Sequence, residues 1–252
     1  ALSVILFTGG MDTKFSDIKP VLTPGLILST VALLLTTLLT GAFIFGLGSI
    51  AGMNIEFSLM VSFLLAATMS STDSASVFSI LRSQKMQLKH NLKPLLELES
   101  GSNDPMAYLL TVMLIQVIQS PGEISGWGIT LDFILQFGYA IIISIATGKL
   151  IVWLINRIEL SNTALYSVML LSVVFFVFAI TDLVGGNGYL AVYITGLVVG
   201  NSKVMLKREM SNFMDSLTWL FQTVMFLMLG LMVNPHEMIY VAPAGLLIGL
   251  FM

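Results

Sequence analysis

The sequence predicts an all-α polytopic membrane protein, and three observations carry that reading. The chain is 56% hydrophobic and only 10% charged, with a mean hydropathy of +0.95, far from the composition of a soluble globular domain. Apolar stretches of membrane-spanning length, roughly 17 to 25 residues, recur along it. The basic residues fall in alternate loops only, as they do in a chain threaded back and forth through a bilayer.

In order, residues 1–7 read as the tail of one span. Further spans are predicted over 22–50, 57–81, 94–118, 131–155, 163–183, 189–199 with flanking residues, and 216–233; a last one begins at 238. Gly, Pro and Asn clusters separate them at 20–25, 121–122, 185–188 and 234–235. Alternate loops hold Lys14 and Lys19; Arg82, Lys85, Lys89 and Lys93; Arg157 with Lys149 at the helix end; and Lys203, Lys207 and Arg208. These are all eleven basic residues. The intervening loops hold Glu56, Glu123, Asp132, Asp182 and Glu237. The basic loops 9–21, 82–93, 156–162 and 201–215 are therefore expected on the cytoplasmic side. With no preceding basic region and apolar runs at both ends, residues 1–252 read as one interior transmembrane domain of a longer chain, with terminal helices and any cytoplasmic regulatory domain outside it. The sequence has no cysteine, which excludes disulfides and thiolate chemistry.

Two carboxylates break the apolar pattern. Asp104 lies in Glu99-Ser100-Gly101-Ser102-Asn103-Asp104-Pro105. Ten residues beyond Pro94, at 1.5 Å each, place it roughly 15 Å deep, near the bilayer midplane. Glu99 and Asn103 are i,i+4 neighbours, as are Ser100 and Asp104, so the four form one polar stripe. Pro105 has no N–H, which leaves the Gly101 carbonyl without its helical donor. Asp73 lies in Met69-Ser70-Ser71-Thr72-Asp73-Ser74-Ala75-Ser76. Its small hydroxyl residues compete with helical hydrogen bonds and can unwind the span, freeing carbonyls to meet a cation. Intramembrane acids of this kind mark ion or proton pathways. The donors are hard oxygens, suited to alkali cations and protons rather than transition metals. The competing structural readings are a helix-gluing hydrogen-bond network at the first site and a straight, small-residue packing face at the second.

Other features are weaker. Gly185-Gly186-Asn187-Gly188 lacks the Lys-Ser/Thr of a phosphate loop and reads as a tight turn. Residues 203–215 read either as an amphipathic surface helix, with Met205, Met210, Phe213 and Met214 on its apolar face, or as an ordinary loop. His90 and His236 fall in loops on opposite faces and cannot form one site.

On these residues the chain resembles the monovalent cation:proton antiporter-1 family, in its bacterial NhaP/CvrA-type branch. The resemblance is carried by Ser70-Ser71-Thr72-Asp73 and by Glu99-Ser100-Gly101-Ser102-Asn103-Asp104-Pro105. Leu6-Phe7-Thr8-Gly9-Gly10 and Phe226-Leu227-Met228-Leu229-Gly230-Leu231 support it. It implies an antiporter fold with inverted repeats and an interrupted helix, of which about eight spans are present. It implies a transporter rather than an enzyme, exchanging K+ or Na+ for protons in the bacterial inner membrane, as a homodimer, with no cofactor and no nucleic-acid partner. Asp104 would bind either a proton or the alkali cation. Glu99, Ser100, the Thr72 carbonyl and Asp73 would complete the shell. Asn103 stands where electrogenic relatives carry aspartate, which implies electroneutral exchange and an orienting role for Asn103. Ser74 departs from the proline of many relatives. Two rival classes fit less well: an intramembrane aspartyl protease needs Tyr-Asp and Gly-x-Gly-Asp signatures, and a cation channel needs a pore loop, neither of which is present.

Overall fold

The computed structural model describes residues 1–48, 57–72, 88–89, 91–119 and 126–252. Among them every regular element is helical. In chain order they are α1 (Leu2–Asp12), α2 (Phe15–Gly48), α3 (Leu59–Met69), α4 (Leu92–Gln119), α5 (Gly126–Arg157), α6 (Ala164–Leu183), α7 (Gly188–Gly200), α8 (Lys207–Met232) and α9 (Pro235–Phe251). By length and apolar composition, Phe15–Gly48, Leu131–Arg157, Ala164–Leu183 and Lys207–Met232 could each cross a membrane. The all-helical class expected from the sequence is what the chain adopts.

Several boundaries differ from expectation, each for a local reason. The cluster at 20–25 does not separate elements. Pro20 sits in the 3₁₀ turn Lys19–Val21, where a missing N–H costs nothing, and α2 runs on through it. A wide π turn follows at Leu28–Ala32. The hydroxyls of Ser29 and Thr30 donate to the Leu26 carbonyl at 3.3 and 2.6 Å, drawing it away from the regular ladder. The expected loop 201–215 is a loop only to Leu206. From Lys207 the chain is helical without a break to Met232, since Lys, Arg, Glu and Met are all strong helix formers. Met210 and Met214, one turn apart, are buried against the core, whereas Met205 is exposed, so the amphipathic reading holds for the helical part of that segment.

The core forms where α1, α5, α6, α7 and α8 meet, around Phe7, Ile155, Leu170, Val192 and Met214. At its centre α1 and α7 touch backbone to backbone. A Cβ added at Gly10 would overlap the Tyr193 carbonyl, and one at Gly196 the Phe7 carbonyl. Polar clamps hold the chain ends of this unit. The Asn201 side chain accepts from the Phe15 N–H at 2.7 Å and donates to the Thr13 carbonyl at 2.9 Å. The Lys207 ammonium donates to the Gly200 carbonyl at the end of α7. Helix α4 is wedged between this unit and the α2–α3 pair, touching α1 and α7 on one side and α2 and α3 on the other. That wedge positions the polar residues.

Candidate functional site at the α3–α4 junction

Helix α3 opens on Ser58, whose hydroxyl caps the Val61 N–H at 3.3 Å, and stops at Met69. There the Ser70 hydroxyl takes the Ala67 carbonyl at 2.8 Å, replacing a helical donor with a local one. Ser71 and Thr72 continue without regular structure and run directly against α4. Asp73 lies outside the described residues.

Each of the two turns of α4 facing this segment contributes donors and acceptors. The Ser71 hydroxyl donates to Asp104 Oδ1. The Thr72 hydroxyl donates to Glu99 Oε1 at 2.8 Å. The Thr72 carbonyl accepts from the Ser100 hydroxyl at 3.3 Å and from Asn103 Nδ2 at 3.1 Å. Asn103 Nδ2 also reaches Glu99 Oε1 at 3.0 Å. Its amide orientation follows from this surrounding of acceptors. Asn103 is 1% exposed, and its Oδ1 has no hydrogen-bond partner among the described residues. Glu99, Ser100 and Asp104 are half-buried. Thus Asp104, Glu99, Ser100, Asn103 and Thr72 converge at one place, as an all-oxygen set of carboxylates, hydroxyls and a peptide carbonyl, with an amide nitrogen holding the pieces together. Such a set can carry a proton or a hard cation.

Three residues at this junction were not singled out from the sequence. Ser71 supplies the contact to Asp104; it lies in the polar run but has no pattern that separates it from Ser70. Tyr193 of α7 lays its ring on Gly101, where an added Cβ would come within 2.5 Å of a ring carbon. Asn187 caps α7 by accepting the Leu190 N–H at 3.0 Å and donates across to the Pro105 carbonyl at 3.2 Å. The segment 185–188 is the tight turn expected: Gly185 has φ +79°, and the N–H groups of Gly185 and Gly186 return to Asp182 and Thr181 at 2.9 and 2.8 Å, a helix C-cap that needs glycine. A cavity of about 180 Å³ opens there, lined by Tyr108, Gln136, Phe178, Asp182 and Tyr189 among others. Asn187→Ala removes both a cap and a cross-helix bond from a site that is 2% exposed. We expect a loss of about 1–2 kcal/mol, read as a lowered thermal midpoint in detergent.

A family model described as "Sodium/hydrogen exchanger, transmembrane" matches residues 1–252. The K(+)/H(+) antiporter NhaP2 of Shewanella oneidensis is 36% identical over 250 residues, covering 98% of this chain and 41% of that protein. The K(+)/H(+) antiporter NhaP of Alkalimonas amylolytica is 37% identical over 242 residues, covering 95% and 40%. A probable Na(+)/H(+) antiporter 2 of Methanocaldococcus jannaschii is 27% identical over 260 residues, covering 97% and 58%. The chain thus spans about two fifths of the first two relatives. Among solved structures, the sodium proton antiporter MjNhaP1 of Methanocaldococcus jannaschii superposes with a TM-score of 0.83 at 22% identity, covering 99% of this chain and 60% of that one.

Proposed function

Because the chain belongs to the sodium/hydrogen exchanger family, and is thereby an integral membrane protein, we propose that its parent protein exchanges a monovalent cation for protons through the α3–α4 junction. One observation carries this reading. A mid-helix carboxylate, Asp104, meets the non-helical segment that follows α3, whose Ser71 hydroxyl donates to it and whose Thr72 carbonyl lies against the same turns of α4. Non-helical backbone at membrane depth can supply carbonyl ligands to cations, and an acid there can carry a proton instead. Asp104 is the shared seat. Glu99, Ser100 and the Thr72 carbonyl complete the shell, with Asp73 adjoining them in sequence. Asn103 tethers Thr72 to Glu99, keeping the carbonyl in place as the occupant changes. The names of the relatives at 36–37% identity favour K+ over Na+. One proton for one cation on a single carboxylate makes the cycle electroneutral, with no cofactor beyond the transported ions. In the same reading the protein sits as a homodimer in the bacterial inner membrane with its basic loops in the cytoplasm.

The test uses the full-length parent in acidified inside-out vesicles containing a pH-sensitive dye. Addition of K+ is expected to release protons, at a rate unchanged when a permeant anion collapses the membrane potential. No proton release with K+, Na+ or Li+ from protein shown to be folded and inserted would overturn the proposal. Competition for one carboxylate also sets the pH dependence. As pH falls, protons occupy Asp104, so the apparent KM for the cation rises, toward about tenfold per pH unit where one proton is displaced per cation. A KM flat across the working range, measured by cation titration at fixed pH values, would contradict the shared seat.

A further inference from the structure

Helix α5 has two faces of opposite character. At 3.6 residues per turn, Ala140, Ser144, Ile151 and Ile155 share one side of it; they are 0%, 0%, 3% and 0% exposed and pack into the core. The opposite side, an arc of about 100°, carries Ile142, Lys149, Trp153, Asn156 and Arg157. Ile142 and Trp153 are 68% and 56% exposed, and Lys149, Asn156 and Arg157 are exposed as well. A membrane-length apolar helix thus ends in the outward-facing series Lys149, Trp153, Arg157, one residue per turn.

The neighbouring loop adds a third cation to this face. Asn156 Nδ2 donates to the Lys203 carbonyl at 2.8 Å, and its Oδ1 accepts the Met205 N–H at 3.1 Å. The backbone of the loop carrying Lys203 and Met205 is therefore pinned to Asn156, the residue before Arg157. The segment after α5 is fixed too: the Tyr166 hydroxyl donates to the Ile158 carbonyl at 2.6 Å and accepts the Leu160 N–H at 3.1 Å. Glu159 is the nearest acid in sequence and is exposed beyond the helix end. Among the described residues no carboxylate pairs with Lys149 or Arg157. Lys149 lies two turns inside the helix, about 12 Å short of Arg157 along the axis. An ammonium at that position on the exposed face of a membrane-length helix calls for an anion or for snorkelling to the interface.

We propose that Lys149, Trp153, Arg157 and Lys203 form a binding surface for the headgroup of an anionic phospholipid. A phosphate at the level of Trp153 stands one turn, about 6 Å, from both Lys149 and Arg157, within reach of either side chain. The indole marks the interfacial depth, and Ile142 with its apolar neighbours below receives the acyl chains. Charge complementarity with an anionic leaflet supplies the selectivity. This surface lies apart from the α3–α4 junction and does not depend on what the junction transports.

The test is native mass spectrometry of the full-length parent in mild detergent, with phosphatidylglycerol or phosphatidylcholine added at equal concentration. Wild type is expected to retain severalfold more phosphatidylglycerol. Lys149→Gln with Arg157→Gln should reduce it to the phosphatidylcholine level, while Lys149→Arg keeps the preference and so does the site variant Asp104→Asn. A photoreactive residue at position 153 should label lipid. An unchanged preference in the double variant, or labelling at position 153 only to another part of the protein, would overturn the proposal. If the double variant does not fold, Lys149→Gln alone and the label at position 153 decide it.

Discussion

Asp104→Asn in the full-length parent is expected to abolish cation-dependent proton flux, down to the level of vesicles without the protein, while insertion and folding persist. The substitution is nearly isosteric. It keeps an acceptor for the Ser71 hydroxyl and leaves the Thr72–Asn103–Glu99 bonds in place, so packing gives no reason for unfolding. What it removes is the capacity to hold a proton or to balance a cation, and without either the exchange cycle has no loaded state. Retained flux would move the shared seat to another acid, of which Glu99 and Asp73 are the nearest in the proposed shell. A thermal midpoint within a few degrees of wild type separates loss of transport from loss of fold.

The second large effect is structural. Gly196→Val is expected to destabilise the protein by about 3 kcal/mol or more, the upper end for overpacking, because the obstacle is backbone. A Cβ at position 196 meets the Phe7 carbonyl, which belongs to a helix and cannot rotate aside as a side chain would. The α1–α7 contact would have to open, and α7 carries Tyr193, which rests on Gly101 in the site helix. Loss of monodisperse protein in size-exclusion chromatography, or a midpoint lowered well beyond that of Gly230→Val, checks it; Gly230 has open space around its Cβ position. A midpoint matching that control would mean that α1 and α7 can separate at little cost.

The fold class was legible because its signal is one-dimensional: apolar runs of bilayer length and the alternation of basic loops. The polar stripe of α4 was legible for the same reason, since Glu99, Ser100, Asn103 and Asp104 are neighbours at helical spacing whatever the rest of the chain does. Helix ends were less so. Lys207, Arg208 and Glu209 look like a loop by polarity, yet all favour helix, and Met210 and Met214 hold the first turns of α8 against the core. Contacts between distant segments left no trace in any local pattern. Nothing near Asn187 announces that its amide reaches Pro105, and nothing near Gly196 announces Phe7. Those pairings are set by how closely helices approach, which depends on both partners at once.

The Thr72 carbonyl has a consequence for anyone probing this protein by substitution. A peptide oxygen is present in every amino acid, so no codon change at position 72 deletes it. Thr72→Ala would strip the hydroxyl from Glu99 and still offer the same oxygen to Ser100 and Asn103. A saturation screen would therefore report on the hydroxyl alone and pass over the carbonyl's contact. Only chemistry that alters the main chain itself, such as an ester in place of the amide that follows Thr72, weakens that acceptor and makes its contribution measurable.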